Sequence, residues 1–238
     1  MASAPRSLDW TKLSDDPNNP AAKQAVREYL RFARRVHTDV GMMEFIEARV
    51  KDRTVLDIGV AEHSLRYVER PEWRHGRIAR LARRCVGVDI LEGLVRELNQ
   101  RGFNVVCVDA TSDQDLGERF EVAFIGDVLE HVNDATRLLR FAARHLAPGG
   151  RIFASTPNPF SRKWYKRFRG DGTAITNLDH VAWFTPTQAM EIARRAGLQL
   201  AAYHLIKRYS RAGAALHRLA WRFSPLEWSF PDFVYEFG

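Results

Sequence analysis

Cysteine, methionine and long apolar stretches are what this 238-residue sequence has least of, with two Cys and four Met. No uninterrupted hydrophobic run exceeds a few residues, far short of the roughly 18 to 20 that a membrane-spanning helix needs, so no transmembrane segment is expected. The first 20 residues lack the apolar core of a secretory signal. Two thiols are too few for a disulfide framework or a thiolate metal site. Cys85 and Cys107 both lie inside apolar runs that read as strands, so buried thiols in a cytoplasmic protein are expected. Acids are in deficit: 29 Asp and Glu stand against 36 Lys and Arg, a formal net charge of +7. That balance favours anionic partners without separating nucleic acid, anionic lipid and phosphorylated metabolites. Against these shortages stand 45% hydrophobic residues and a 27% charged fraction. The charged fraction is close to the ordinary value of about 25%, which excludes wholesale disorder. The length argues for one α/β domain rather than two small ones.

Residues 1–20 are polar and Pro/Asn-rich and read as a mobile leader that ends by capping a helix. From Ala21, the positions Val26, Leu30, Ala33, Val36 and Val40 keep helical spacing. Met42, Phe45, Ile46 and Val50 continue it past Gly41, so two helices are predicted over 21–52. Apolar runs follow at 54–58 (TVLDI), 85–90 (CVGVDI), 104–110 (NVVCVDA), 121–127 (EVAFIGD) and 151–156 (RIFAST). Amphipathic patterns such as Leu91, Leu94, Val95 and Leu98 lie between them. Near-continuous apolar strands alternating with helices predict a mostly parallel sheet covered on both faces and joined by right-handed crossovers.

The core is read as 53–206, including a long loop or lid at 157–183. Thr185-Pro186-Thr187-Gln188 starts a helix that Gly197 closes, with Thr185 as N-cap and Gln188 reaching back. A sixth strand is expected at 198–206. Residues 207–238 read as a basic, aromatic extension of the same domain. Its SFPDFVYEF is a seventh strand, confined by Pro231 to a sheet edge or to the strand's beginning.

The first four runs end in or near an acid: Asp57, Asp89, Asp109 and Asp127. In an open parallel α/β sheet the carboxyl ends of the strands form the ligand crevice, so four acids are expected to line one cleft. Each taken singly also reads as the cap of a following helix.

With these residues the sequence resembles the Rossmann-like, seven-stranded methyltransferases that use S-adenosyl-L-methionine, in particular the ubiquinone-type small-molecule enzymes. VLDIG (55–59) is similar to their first motif. GDVLEHV (126–132) and HLAPGGRIFASTPN (145–158) resemble their later ones, and the likeness covers about 54–205. The resemblance implies that Asp57 orients the glycine turn and that Gly59, Ala61 and His63 border the methionine end of the cofactor. It further implies that Asp89, followed by Ile90, accepts from the ribose hydroxyls, that Asp109 and Ala110 read the adenine, and that Asp127 touches cofactor or acceptor. Asp127, Glu130 and His131 also look like the acidic metal site of some ubiquinone O-methyltransferases. A cofactor or substrate contact accounts for Asp127 as readily, and no metal is expected.

Two departures stand out. Where the family has Gly-x-Gly-x-Gly, this chain has Gly59-Val60-Ala61-Glu62-His63, with side chains where glycine is normal. Asp89 lies 30 positions after Gly59, against about 20 in the dinucleotide fingerprint. The excess is an insert at 69–84, whose Trp73, Arg74 and Arg77 read more readily as cover for the sheet edge than as a cofactor flap.

Methyl transfer to a hydroxyl requires alignment of the nucleophile and removal of its proton, and histidine titrates in the useful range. His131 after the fourth strand and His180 in LDHVAWFTP are the candidates, with His180 favoured as a lid residue. The run SRKWYKRFRG (161–170) interleaves Arg162, Lys163, Lys166, Arg167 and Arg169 with Trp164, Tyr165 and Phe168. It reads as a contact for an anionic acceptor or a lipid interface, or else as a lid helix with inward aromatics and solvated charges. The expected acceptor is a small or carrier-linked anionic molecule such as a sugar or surface-glycan intermediate, methylated at oxygen. A nucleic-acid methyltransferase is the first rival, but FIGDVLEH stands where an Asn-Pro-Pro-Tyr-type motif would sit. A nicotinamide-dependent sugar oxidoreductase would need a Gly-x-Gly-x-x-Gly cradle that is absent.

Overall fold

The structure, a computed structural model, describes residues 7–61, 64–173, 175–207 and 226–238. Its strands are β1 (Arg35–Gly41), β2 (Thr54–Ile58), β3 (Arg84–Asp89), β4 (Val105–Cys107), β5 (Phe120–Gly126), β6 (Leu146–Pro157), β7 (Leu200–Lys207) and β8 (Asp232–Phe237). Its helices are α1 (Pro20–Glu28), α2 (Met42–Val50), α3 (Arg74–Leu81), α4 (Glu92–Gln100), α5 (Ala135–Arg144), α6 (Arg162–Asp171) and α7 (Pro186–Arg195). Among the described residues the strands form one sheet in the order β1-β7-β8-β6-β5-β2-β3-β4, with only β8 antiparallel to its neighbours. The mostly parallel α/β class read from the alternation of strands and helices is the class observed.

Val55, Leu56 and Ile58 of β2 and Val122 to Ile125 of β5 are buried, as strands covered on both faces must be. Asp134 caps α5 by accepting from the Arg137 amide at 2.9 Å, and the helix buries Leu138, Leu139, Phe141 and Ala142 against the sheet. The capping box at Thr185 and Gln188 is present as predicted. No helix among the described residues is long and apolar enough to cross a membrane.

Several expectations need correction. The segment 21–52 is not two helices only. Val36 and Val40, which continue a helical spacing on paper, lie in β1, an eighth strand paired in parallel with β7. An open edge of β7 offers backbone partners that no local pattern announces, and β-branched Val36, Thr38 and Val40 accept a strand readily. The leader is not wholly loose, since Trp10 Nε1 donates to Glu191 at 2.9 Å and Asn19 caps α1; residues 1–6 lie outside the described residues. The lid segment contains helix α6, ended by Gly172 at φ +70. β8 begins immediately after Pro231 and sits between β6 and β7, so the proline marks its beginning and not an edge. Both cysteines are free; burial pushes the Cys85 thiol well up, whereas Cys107, at the end of the short edge strand β4, is exposed rather than buried. Most of the basic extension, 208–225, lies outside the described residues.

Candidate active site

The chain runs from β2 outward through β3 and β4, then returns to the other side of β2 to build β5 and β6. Parallel strands that part in this way leave a crevice beyond their carboxyl ends. Here it is a cleft of about 580 Å³ lined by Gly59 after β2, Asp89 and Ile90 at the end of β3, Asp109 and Ala110 after β4, and Gly126 and Asp127 after β5. His131 forms part of its wall.

Gly59 has φ +82, and a Cβ built on it would lie 2.3 Å from Val128 Cγ2, so both backbone conformation and space demand glycine there. Asp89 is 8% exposed. Its Oδ2 accepts from the Ala61 amide at 2.9 Å and its Oδ1 from the Leu91 amide at 3.0 Å. One carboxylate thus ties the turn after β2 to the end of β3, and each oxygen keeps capacity for a further donor. Asp109 is more open; its Oδ1 accepts from the amide and the hydroxyl of Thr111, both at 2.7 Å. Asp127 holds φ +52, uncommon for a residue other than glycine. Ser155 fixes it there: the Ser155 Oγ donates to Asp127 Oδ1 at 2.9 Å and accepts from its amide at 3.1 Å.

Asp57 does not join the other acids. It is fully buried and does not line the cleft, and its Oδ2 lies 2.8 Å from His75 Nδ1. Ala61 is buried as well and meets the site through its amide. His63, read as a cofactor neighbour, lies outside the described residues.

The insert is where the sequence reading fell furthest short. Three consecutive side chains each bond the first motif: Trp73 Nε1 donates to Val60 O at 3.2 Å, Arg74 Nη2 to Gly59 O at 2.7 Å, and His75 pairs with Asp57. Arg74 therefore lines the cleft and does not cover a sheet edge, whereas Arg77 pairs with Glu47 on α2. A Trp-Arg-His run starting a helix just after a turn poor in glycine was the available signal.

At the mouth, His131 and His180 meet edge to face with ring centroids 4.6 Å apart. His131 Nδ1 lies 3.1 Å from Asp179 Oδ2. Of the two histidines only His131 is among the cleft-lining residues, and His180 packs against its ring. Burial, then the neighbouring His131 charge, hold the His180 imidazole below its ordinary pKa. Beneath them Glu130 is 1% exposed and accepts from Thr156 Oγ1 at 2.9 Å. Burial, then the charge of Asp127, push its carboxyl up to about 8. Glu130, His131 and His180 each place one ligating atom within 4.8 Å of the others, a donor set of one carboxylate and two imidazoles that suits a borderline divalent ion such as zinc better than a hard one.

Helix α6 buries Trp164, with Lys163 and Arg167 over its ring at 4.8 and 4.9 Å, and leaves Tyr165 and Phe168 about half exposed. A second cavity of about 740 Å³ lies between α6, Trp183 and Trp228. Ser161 Oγ and Trp164 Nε1, both on residues lining it, are buried without a hydrogen-bond partner among the described residues.

Residues 26–203 match the family described as methyltransferase domain. The chain is 26% identical over 204 residues to a Coxiella burnetii protein named ubiquinone biosynthesis O-methyltransferase, with 80% of each chain covered. Its fold is similar to that of an S-adenosylmethionine-dependent methyltransferase from Archaeoglobus fulgidus, with a TM-score of 0.54, 18% identity, and 90% of this chain and 98% of that chain covered. A second such enzyme, from Mesorhizobium loti, gives 0.54 at 16% identity, covering 83% and 98%.

Proposed function

The chain belongs to the methyltransferase-domain family and is an S-adenosylmethionine-dependent methyltransferase, and we propose that it methylates a hydroxyl of a small or carrier-linked acceptor, a sugar or glycan intermediate. The observation that carries the site is the convergence of four strand ends, with the Asp89 and Asp109 carboxylates, on one cleft.

That cleft fits the cofactor on its own terms. A glycine at positive φ brings bare backbone to it, and an acid at the end of β3 keeps acceptor capacity. A half-buried guanidinium with an orphaned Nε also waits on its wall. Asp89 would hold the ribose with Ile90 flanking, Asp109 and Ala110 the adenine, and Gly59 and Asp127 the methionine end. When bound, S-adenosylmethionine supplies a sulfonium-activated methyl group.

The residues of this chain align the acceptor and take its proton. His131 accepts it at Nε2, with Nδ1 lying 3.1 Å from Asp179 Oδ2. His180, its pKa held below the ordinary value first by burial, packs edge to face against the His131 ring. An oxygen acceptor is supported by the relative named as an O-methyltransferase. A sugar ring is supported by the aromatic cavity beside α6: a pyranose offers a C–H face to indole rings and hydroxyls to Ser161 Oγ and Trp164 Nε1.

The test is transfer of a labelled methyl group from S-adenosylmethionine to a panel of glycosides, phenols, amines and nucleic acids, with the product atom located by mass spectrometry. Label on a glycoside oxygen is the expected result. Label on amines or nucleic acid alone would refute the oxygen reading, and label on phenols alone would replace the sugar with an aromatic acceptor.

A further inference from the structure

We infer that Arg74, supplied by the insert between β2 and β3, reads the carboxylate of the cofactor's methionine end, with Asp127 facing the ammonium group. The inference rests on the placement of the cofactor in the cleft proposed above.

Among the described residues no carboxylate lies within ion-pair distance of Arg74, although it is only half-exposed. Among the described residues its one hydrogen bond is the 2.7 Å donation from Nη2 to Gly59 O, and its buried Nε has no partner there. Other arginines nearby are paired, Arg77 with Glu47 and Arg84 with Glu118. A guanidinium withdrawn from water without an anion is costly, and the cost is relieved when one arrives.

Space has been kept for it. A Cβ built on Gly126 would come 2.2 Å from Arg74 Cζ, so glycine at the end of β5 lets the guanidinium lie flat on the backbone. Gly59 and Gly126, the glycines at the ends of β2 and β5, both border Arg74, and Asp127 follows directly. A guanidinium with no acid partner among the described residues and one acid held in a fixed conformation by Ser155 therefore share the same end of the cleft. That is the complement of an α-amino acid zwitterion.

The turn after β2 has little of its own to offer an anion. The Ala61 amide, which could otherwise face an anion, is donated to Asp89. The insert compensates from outside, and its geometry is fixed in advance: Trp73 is bonded to Val60 and His75 to Asp57, so the residue between them has little freedom. A bidentate guanidinium suits a carboxylate better than any single amide does.

Calorimetry with two ligands separates this role from mere bracing of the turn. S-adenosylhomocysteine carries the amino-acid end; 5′-methylthioadenosine lacks it and keeps the nucleoside. Arg74→Gln should weaken the first by roughly 10- to 100-fold and leave the second unchanged. Arg74→Lys should recover part of the loss. Asp89→Asn, as the control for the cleft itself, should weaken both ligands. Equal weakening of both by Arg74→Gln, or no effect on either, overturns the assignment while Asp89→Asn still reports an intact cleft. If Asp89→Asn changes neither affinity, the placement of the cofactor is wrong and the role of Arg74 falls with it.

Discussion

His75 Nδ1 lies 2.8 Å from Asp57 Oδ2, and both side chains are sealed from solvent, at 1% and 0% exposure. This contact fastens the insert helix α3 to the strand that carries the first motif. Gly87 permits it, since a Cβ there would lie 2.9 Å from the His75 ring. His75→Ala leaves a buried carboxylate unpaired, so a loss of about 3 to 5 kcal/mol is expected in urea unfolding. Affinity for S-adenosylhomocysteine should fall as well, because Arg74 is released. A loss below about 1 kcal/mol would mean that the pair is not holding the insert.

Gly59 tests the turn. Gly59→Ala meets both the φ of +82 and the Val128 side chain, whereas Gly102→Ala meets a φ of +88 with nothing within 4 Å. The Gly102 variant should lose about 1 kcal/mol from backbone strain alone. The Gly59 variant should lose more and also bind cofactor poorly; equal effects would show that Val128 yields freely.

Glu130 gives the protein a pH dependence of its own. Its folded pKa of about 8 lies above the ordinary 4.5, so between these values the folded state holds a proton that the unfolded state does not. Stability is therefore greatest at the acid end and falls as pH rises through that window, by up to roughly 5 kcal/mol. Asp127 and Asp232 add to the burial that keeps the proton on, while the Thr156 hydroxyl opposes it. Glu130→Gln should flatten the fall in Tm between pH 5 and 9 in chelator-containing buffer. An unchanged slope would place the titration elsewhere.

For the proton, His131→Ala should lower kcat strongly with S-adenosylhomocysteine affinity preserved. His180→Ala should lower kcat less, because it removes only the ring packed against His131. If His180→Ala proves the more damaging with His131→Ala near normal, the two roles are reversed.

The basic face of α6 is expected to meet the acceptor. Arg162→Glu with Lys166→Glu should raise the acceptor KM in a salt-sensitive way and leave cofactor affinity alone. A KM that does not move makes these charges a solvated surface.

Strand and helix periods, the acids after β3, β4 and β5, and the capping box of α7 were all legible along the chain, because each depends on residues close in sequence. An amphipathic period reports which face is covered, and an acid after a strand reports where the crevice opens. The order of strands, the burial of β8 between β6 and β7, and the conversion of Val36 and Val40 from a helical spacing to an edge strand were not legible. They depend on which backbone partners are free, and these are supplied by residues far along the chain. The same holds for the site. Asp57 reads like Asp89 in the sequence, one acid near a strand end beside another. Only folding separates them, since the insert returns His75 to Asp57 and hides it, while Asp89 stays at the cleft and receives the Ala61 amide. Arg74 likewise becomes a cleft residue through the anchoring of its two neighbours, a long-range arrangement that no local spacing encodes.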